Sequence, residues 1–485
     1  MKPQIVSKLR IVLNMEIRHK EIVIDEKNPF ANCKLEREQY ANVLTDIVKT
    51  YADGFVLAIN NEWGTGKTTF IKMWQQDLKN KDFQTIYFNA WENDFDNNPL
   101  VALMAELKTL DNAKNNETFK HVLEKGAILL KNVLPALLKS ILKKYIDVEE
   151  VTDAIENTTK GVTEIFENEI DGYINKKETV SVFRKELENF IKETGGGSKP
   201  LIFIIDELDR CRPDYAVEVL EQVKHFFSVS GIVFVLSIDK KHLASSIKGF
   251  YGSEDINTDE YLRRFIDLEY SIAKPSNRLF CRYLYSYYSF DDLGIYTDRR
   301  GKYDGFSEDV NIPLEMAILL FDKSNITLRQ QEKMFAQVRL VLSFIEAKYH
   351  ILSPLIFVLI YFKTMKNQLY EGLKDQSYNV QTLCNTFEDL FSDDLMNKKN
   401  FNLFFIEALL LYYYNNNKEY RNRERFFELN AYEKRIRLIK SNFVNEVGEF
   451  GLVGCLNHIY DQWNIKDLNL NYLLNRIDLL EPINK

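Results

Sequence analysis

The segment Gly64-Thr65-Gly66-Lys67-Thr68-Thr69 follows the apolar run Phe55-Val56-Leu57-Ala58-Ile59. That succession reads as a strand, a phosphate-cradling turn and the start of a helix. In such a turn, successive backbone N–H groups point inward around the β- and γ-phosphates, and the positive end of the helix adds attraction for the anion. Asn61, Glu62, Trp63, Gly64, Thr65, Gly66, Lys67, Thr68 and Thr69 are thus the candidate ligands of a nucleoside triphosphate. Lys67 is expected to reach the terminal phosphates and the Thr68 hydroxyl to ligate Mg²⁺. Asn61 stands where the usual pattern has glycine; asparagine tolerates positive φ, so the turn stays buildable. The plainer alternative is a glycine-rich helix cap.

A second apolar run, Leu201-Ile202-Phe203-Ile204-Ile205, ends in Asp206-Glu207. A buried parallel strand delivers such acids at its carboxyl end, where ligands bind in open α/β sheets. Asp206 is expected to hold Mg²⁺ through its water shell. Glu207 is expected to orient and polarise the water that attacks the γ-phosphate.

Five strands are expected around these groups: Phe55 to Asn60, Gln84 to Asn89, Leu201 to Asp206, Ile232 to Ile238 and Ile266 to Ile272. They alternate with helical patterns, which implies a parallel sheet covered on both faces. The stretch between the second and third strands is far longer than an ordinary α/β connection and reads as a helical insert ending at Gly195-Gly196-Gly197-Ser198. From about Asn311 onward only helical periodicity is found. The expected division is therefore an amino-terminal extension over 1–27, a nucleotide core over 28–91 and 199–275, a helical insert over 92–198 and an all-helical carboxyl-terminal domain over 276–485.

Composition narrows the function. A net charge of −8 argues against a generally basic nucleic-acid binder. Five scattered cysteines suggest neither a disulfide framework nor a zinc motif, and fit a reducing cytoplasm. None of the six histidines falls at a metal or triad spacing. The apolar stretches Ile351 to Phe362 and Phe401 to Tyr414 are shorter than the ~20 residues of a membrane-spanning helix and read as buried helices, while Gly126 to Leu142 reads as amphipathic. No secretion signal is read at the amino terminus, and Met15 is a second candidate start.

The wording around both strands resembles the KAP family of P-loop NTPases over about residues 28 to 340. Four pieces carry the resemblance: Asn28-Pro29-Phe30 with Leu35-Glu36-Arg37-Glu38-Gln39-Tyr40-Ala41; Glu62-Trp63-Gly64-Thr65-Gly66-Lys67-Thr68; Phe88-Asn89-Ala90-Trp91; and Ile205-Asp206-Glu207-Leu208-Asp209-Arg210-Cys211-Arg212-Pro213. The resemblance implies an α/β P-loop NTPase sheet whose acidic strand does not neighbour the phosphate-loop strand, and a preference for ATP over GTP. It also implies an amino-terminal segment near the adenine, at Arg37 and Tyr40 here. Many relatives carry transmembrane helices between the two motifs, whereas this insert shows none. Family glycine at Asn61 and frequent aspartate at Glu207 are the other departures, and both keep the required chemistry.

Ser237 and Asp239 end the fourth strand, either as a γ-phosphate sensor with Asp239 among the nucleotide ligands or as a cap of the next helix. By the same resemblance Tyr261-Leu262-Arg263-Arg264-Phe265 holds a basic residue, Arg264, that reaches a neighbouring subunit's nucleotide; the alternative is a solvated helix face. Arg329 is a weaker sensor candidate. Lys418 to Lys440 interleaves basic and aromatic residues, as a nucleic-acid contact or as an ordinary charged face. The favoured reading is an ATP-hydrolysing, Mg²⁺-dependent switch in a homo-oligomer or with a protein partner bound through the helical domains; relatives suggest sensing or anti-phage defence. A non-catalytic ATP-binding scaffold is the alternative, and a nucleic-acid-stimulated ATPase is the less favoured third.

Overall fold

Each of the five apolar runs forms a strand in the computed structural model, which describes residues 22–51, 53–95, 98–110, 116–129, 169–194, 199–290, 312–345, 352–393, 401–429, 435–441, 451–462 and 469–479. The strands are β1 (Phe55–Asn60), β2 (Thr85–Asn89), β3 (Leu201–Asp206), β4 (Ile232–Ile238) and β5 (Leu268–Tyr270), all parallel in the order β2-β3-β4-β1-β5. The acidic strand β3 is thus separated from the phosphate-loop strand β1 by β4, as the resemblance implies. Strand β5 is shorter than its apolar run because side chains replace ladder bonds at both ends. Val56 N donates to Asp267 Oδ2 (2.8 Å), and Ile272 pairs with the Asn61 amide.

Helices α1 (Glu38–Thr50) and α2 (Lys67–Asn80) cover one face of the sheet, packing Leu44, Phe70 and Trp74 against Leu57, Ile59, Ile202, Ile204, Val233 and Val235. Alternation along the strands sends Phe88, Phe203, Ile205, Phe234 and Leu236 to the other face. Short α3 (Ala90–Asn93) continues directly from β2. Beyond it α4 (Pro99–Leu107), α5 (Asn116–Leu129), α6 (Glu169–Thr194), α7 (Pro213–His225), α8 (Lys240–Tyr251) and α9 (Thr258–Leu262) contribute to this second core. The described helices of the insert are therefore part of that core: Leu103, Leu107, Phe119, Phe183 and Phe190 join it. Residues 130–168 of the insert, the 195–198 turn, most of the 1–27 extension including Met15, and the Gly126 to Leu142 run from residue 130 onward lie outside the described residues.

The described residues through Lys274 form one compact unit and those from Pro275 onward another. The second contains α10 (Asn277–Tyr287), α11 (Ile312–Asp322), α12 (Leu328–Ser343), α13 (Ser353–Met365), α14 (Asn367–Lys374), α15 (Val380–Leu390), α16 (Phe401–Asn417), α17 (Leu452–Gln462) and α18 (Leu470–Asp478). The two long apolar runs become α13 and α16, with Ile356, Leu359, Ile406 and Leu410 fully buried. No helix among the described residues is long and apolar enough to cross a membrane. One feature escaped the helical pattern: β6 (Phe427–Leu429) and β7 (Arg435–Arg437) form an antiparallel pair. Three-residue strands are too short for a period-2 signal to emerge from sequence.

Within the basic stretch, Lys418 pairs with Glu424 (2.6 Å), Arg421 with Glu419 (2.8 Å), and Arg423 donates to the carbonyls of Asn416 and Lys418. These cations are tied to local partners; 430–434 lie outside the described residues.

Candidate active site

The phosphate loop runs from Asn61 at the end of β1 to Gly66, and two left-handed residues shape it: Gly64 (φ 75°) and Gly66 (φ 80°). A Cβ on Gly66 would also sit 3.1 Å from Arg37 Nη1, so both the left-handed backbone and the crowding favour glycine there. No side chain caps α2 at Gly66, which leaves its first N–H groups for an anion. Thr65 Oγ1 donates to Glu62 O (2.8 Å) and tightens the turn. Thr68 and Thr69, both half-buried, occupy the first turn of α2, and exposed Glu62 pairs with Lys274 (2.7 Å).

Asn61 does not use the positive φ that its residue type permits. Its N–H donates to Ile238 O (3.1 Å), while its side chain acts as a surrogate peptide: Nδ2 donates to Ile272 O (2.6 Å) and Oδ1 accepts from Ile272 N (3.0 Å). A glycine could make only the first of these bonds. The asparagine therefore ties the loop's base to the chain beyond β5.

Arg37 is buried beneath the loop, with Nη1 donating to Gly66 O (3.0 Å) and Nη2 to Thr65 O (2.6 Å). Burial pulls its pKa below the usual guanidinium value. The resemblance implies a place near the adenine; in the structure Arg37 braces the carbonyl side of the phosphate loop. Tyr40, half-buried, packs on the α1–α2 face beside Tyr270.

Lys67 Nζ donates to Asn61 O (2.6 Å), folded over its own loop. Burial lowers its pKa, opposed by Asp209, Asp239 and Asp206, so the lysine stands amid acids carried by β3 and β4 and the turns that follow them. Asp206, 1% exposed, accepts from Tyr87 OH (2.9 Å) and Glu207 N (3.0 Å). In return, burial and the Asp206 charge push the Tyr87 phenol far up.

Glu207 leaves β3 in a left-handed conformation (φ 61°, ψ 24°) uncommon for a residue with a Cβ. The turn takes its carboxylate out of the strand direction, where Oε1 pairs with Arg210 Nη1 (2.9 Å) and Asn89 supplies a hydrogen bond. Its pKa is raised, first by burial, against the lowering effect of Arg210. Arg210 lies over Trp63 and Trp91, with its guanidinium carbon 5.9 and 5.7 Å from the ring centres. Trp63 stacks on His242 (3.6 Å between centroids) and donates its indole N–H to Asp209. Arg212 fastens the end of this motif to the loop after α3 through three bonds to Asp94.

Asp239 serves as a helix cap, accepting from Lys241 N (3.1 Å) and His242 N (3.4 Å), and also accepts from Trp63 N in the phosphate loop (3.2 Å). It links β4 to the loop. Ser237 pairs in register with both Asp206 and Ile59, and its buried hydroxyl has no hydrogen-bond partner among the described residues. Arg264 is exposed, and no ion pair or side-chain hydrogen bond engages it among the described residues. Arg329, also exposed, opens α12 in the second unit.

The described chain thus brings the phosphate loop, Asp206, Glu207 and Asp239 into one site at the carboxyl ends of β1, β3 and β4. The KAP family P-loop domain matches residues 37–345, well over half of the 485-residue chain. The chain belongs to the KAP family of P-loop NTPases. No curated protein matches it. The contacts of Asn89, Asp209, Arg210 and His242 around the site are not read from the sequence. Asn89, Asp209 and Arg210 stood in the family wording, yet only folding shows that they converge on Glu207 and Trp63.

A nucleoside triphosphate with magnesium suits the residues present. The uncapped helix start and half-buried Lys67 match an anion, Thr68 and Asp206 are oxygen donors of the hard type that Mg²⁺ takes, and the Ser237 hydroxyl, unpaired among the described residues, lies at the same strand ends.

Proposed function

We propose that the chain binds ATP with Mg²⁺ and hydrolyses it as a nucleotide-dependent switch. The observation that carries this reading is Glu207: an acid turned out of the sheet by a left-handed backbone, one residue beyond the buried Asp206. Thr68 and Asp206 would hold magnesium, whose charge offsets that of the phosphates. Lys67, with the N–H groups of Gly64 to Thr69, neutralises the γ-phosphate. Glu207 accepts a hydrogen bond from the attacking water and orients it in line.

Glu207 is held by Arg210 and Asn89, and hydrolysis requires that carboxylate to turn to water. A partner or neighbouring subunit that moves Arg210 would release it, so assembly can gate the reaction. Exposed Arg264 suits action across such an interface. A role in sensing or anti-phage defence, and a cytoplasmic site of action, draw support from family resemblance and composition alone.

Phosphate release with Mg²⁺-ATP tests the assignment. Glu207→Gln should bind ATP as tightly as the parent and hydrolyse it roughly 10²- to 10⁴-fold more slowly, the usual contribution of a positioned proton acceptor. Equal rates would refute the role of Glu207.

A further inference from the structure

The second unit contains a cluster that the nucleotide site does not use. Cys384 and Glu388 lie one turn apart on α15, facing Glu407 of α16, and all three are fully buried. One ligand atom from each falls within 4.8 Å of the others. Cys384 Sγ is 3.3 Å from Glu407 Oε1, and Ser441 Oγ donates to Glu388 Oε1. The other Glu407 oxygen, Oε2, is buried and accepts no hydrogen bond from the described residues.

The Glu407 carboxylate at this depth requires a counter-charge or a proton, because burial without compensation is costly. The influences on Glu407 are burial, Glu388 and the Cys384 hydrogen bond, and no basic side chain is among them.

The geometry points to a structural divalent-cation site formed by Cys384, Glu388 and Glu407, with Glu407 Oε2 as the oxygen awaiting the ion and zinc as the fitting class of metal. Sulfur in the donor set favours Zn²⁺ over Mg²⁺ or Ca²⁺. Bond lengths of about 2.0–2.3 Å place the donors of a four-coordinate zinc roughly 3.3–3.8 Å apart. A small contraction of side chains completes the shell. The Cys384 proton leaves as its thiolate binds, Ser441 orients the Glu388 carboxylate from outside, and a water is available as fourth ligand. Such a site would clamp α15 to α16 through charge in place of apolar contact.

The test is metal analysis of the full-length protein, purified without chelator, then stripped and exposed to Zn²⁺ alone. About one zinc per chain is expected, falling to below about a tenth in Glu407→Gln and Cys384→Ser, with zinc raising the melting temperature of the parent but not of either variant. Asp206→Asn should keep its zinc, which separates this site from the nucleotide site. Cobalt loading should give a thiolate charge-transfer band that Cys384→Ser lacks. A parent that takes up no zinc overturns the proposal, as does zinc retained in both variants. Because stoichiometry and the cobalt spectrum are read on the folded parent, a variant that fails to fold does not decide the outcome.

Discussion

Replacing Arg37 with alanine separates two accounts of that residue. If Arg37 braces the phosphate loop, its loss weakens every ligand that uses the loop; if it contacts the base, only nucleotides suffer. The guanidinium is 5% exposed and makes two hydrogen bonds, to Thr65 O and Gly66 O, from a charged donor. Bonds of that kind contribute about 1.5–3 kcal/mol each, and part is offset by the cost of burying the cation. A net loss of roughly 2 kcal/mol in loop preorganisation corresponds to about a 30-fold rise in Kd. Calorimetric titration with Mg²⁺-ATP and with Mg²⁺-tripolyphosphate reads the two cases, and Arg37→Lys, which keeps the charge without the fork, should recover only part of the loss. Both ligands should weaken by the same factor. Tripolyphosphate binding that is unchanged while ATP binding falls would refute the brace.

Three further outcomes follow from the same geometry. Glu207's pKa is raised by burial and held back by Arg210, so activity should fall on the acid side as Glu207 protonates. Arg210→Gln should move that acid limb of the kcat profile to higher pH, and an unmoved limb would show that the pair does not govern the carboxylate. In the second unit, burial raises the Asp478 pKa, but bonds from Lys363 (2.8 Å), Lys374 (2.9 Å) and Tyr370 (2.9 Å) outweigh it, leaving the folded value below the ordinary carboxylate value. A depressed folded pKa gives stability that is present above the unfolded value and lost as pH falls through the folded one. Asp478→Asn should therefore cost about 1–2 kcal/mol near neutral pH in denaturant melts, with the gap to the parent closing in acid; a gap independent of pH would contradict this. Asn61→Gly, which restores the usual residue type, should lower the melting temperature because it removes both side-chain bonds to Ile272, and an unchanged melt would show that those bonds contribute nothing.

Much of the site was legible because its residues are local in sequence or sit at strand ends. A fully buried parallel strand must be apolar throughout, so Leu201 to Asp206 and Ile232 to Ile238 announced themselves with exact bounds. The glycine-lysine-threonine turn is likewise written into consecutive residues. Where side chains replaced backbone bonds, sequence was silent: Asp267 and Asn61 shorten β5, and the Arg37 bonds to the phosphate loop join residues far apart in the chain. The β6–β7 pair was too short to carry a period.

Sequence alone determined that this chain has a phosphate loop, an acid pair and the strands that hold them, since chain-local chemistry and hydrophobic continuity are properties of neighbours. Tertiary structure decided the strand order that brings Asp206 across β4 to Lys67, the pinning of Glu207 by Asn89 and Arg210, and the meeting of Cys384, Glu388 and Glu407. Those contacts join residues from separate elements of the chain, and no local periodicity records which distant side chain fills a given space.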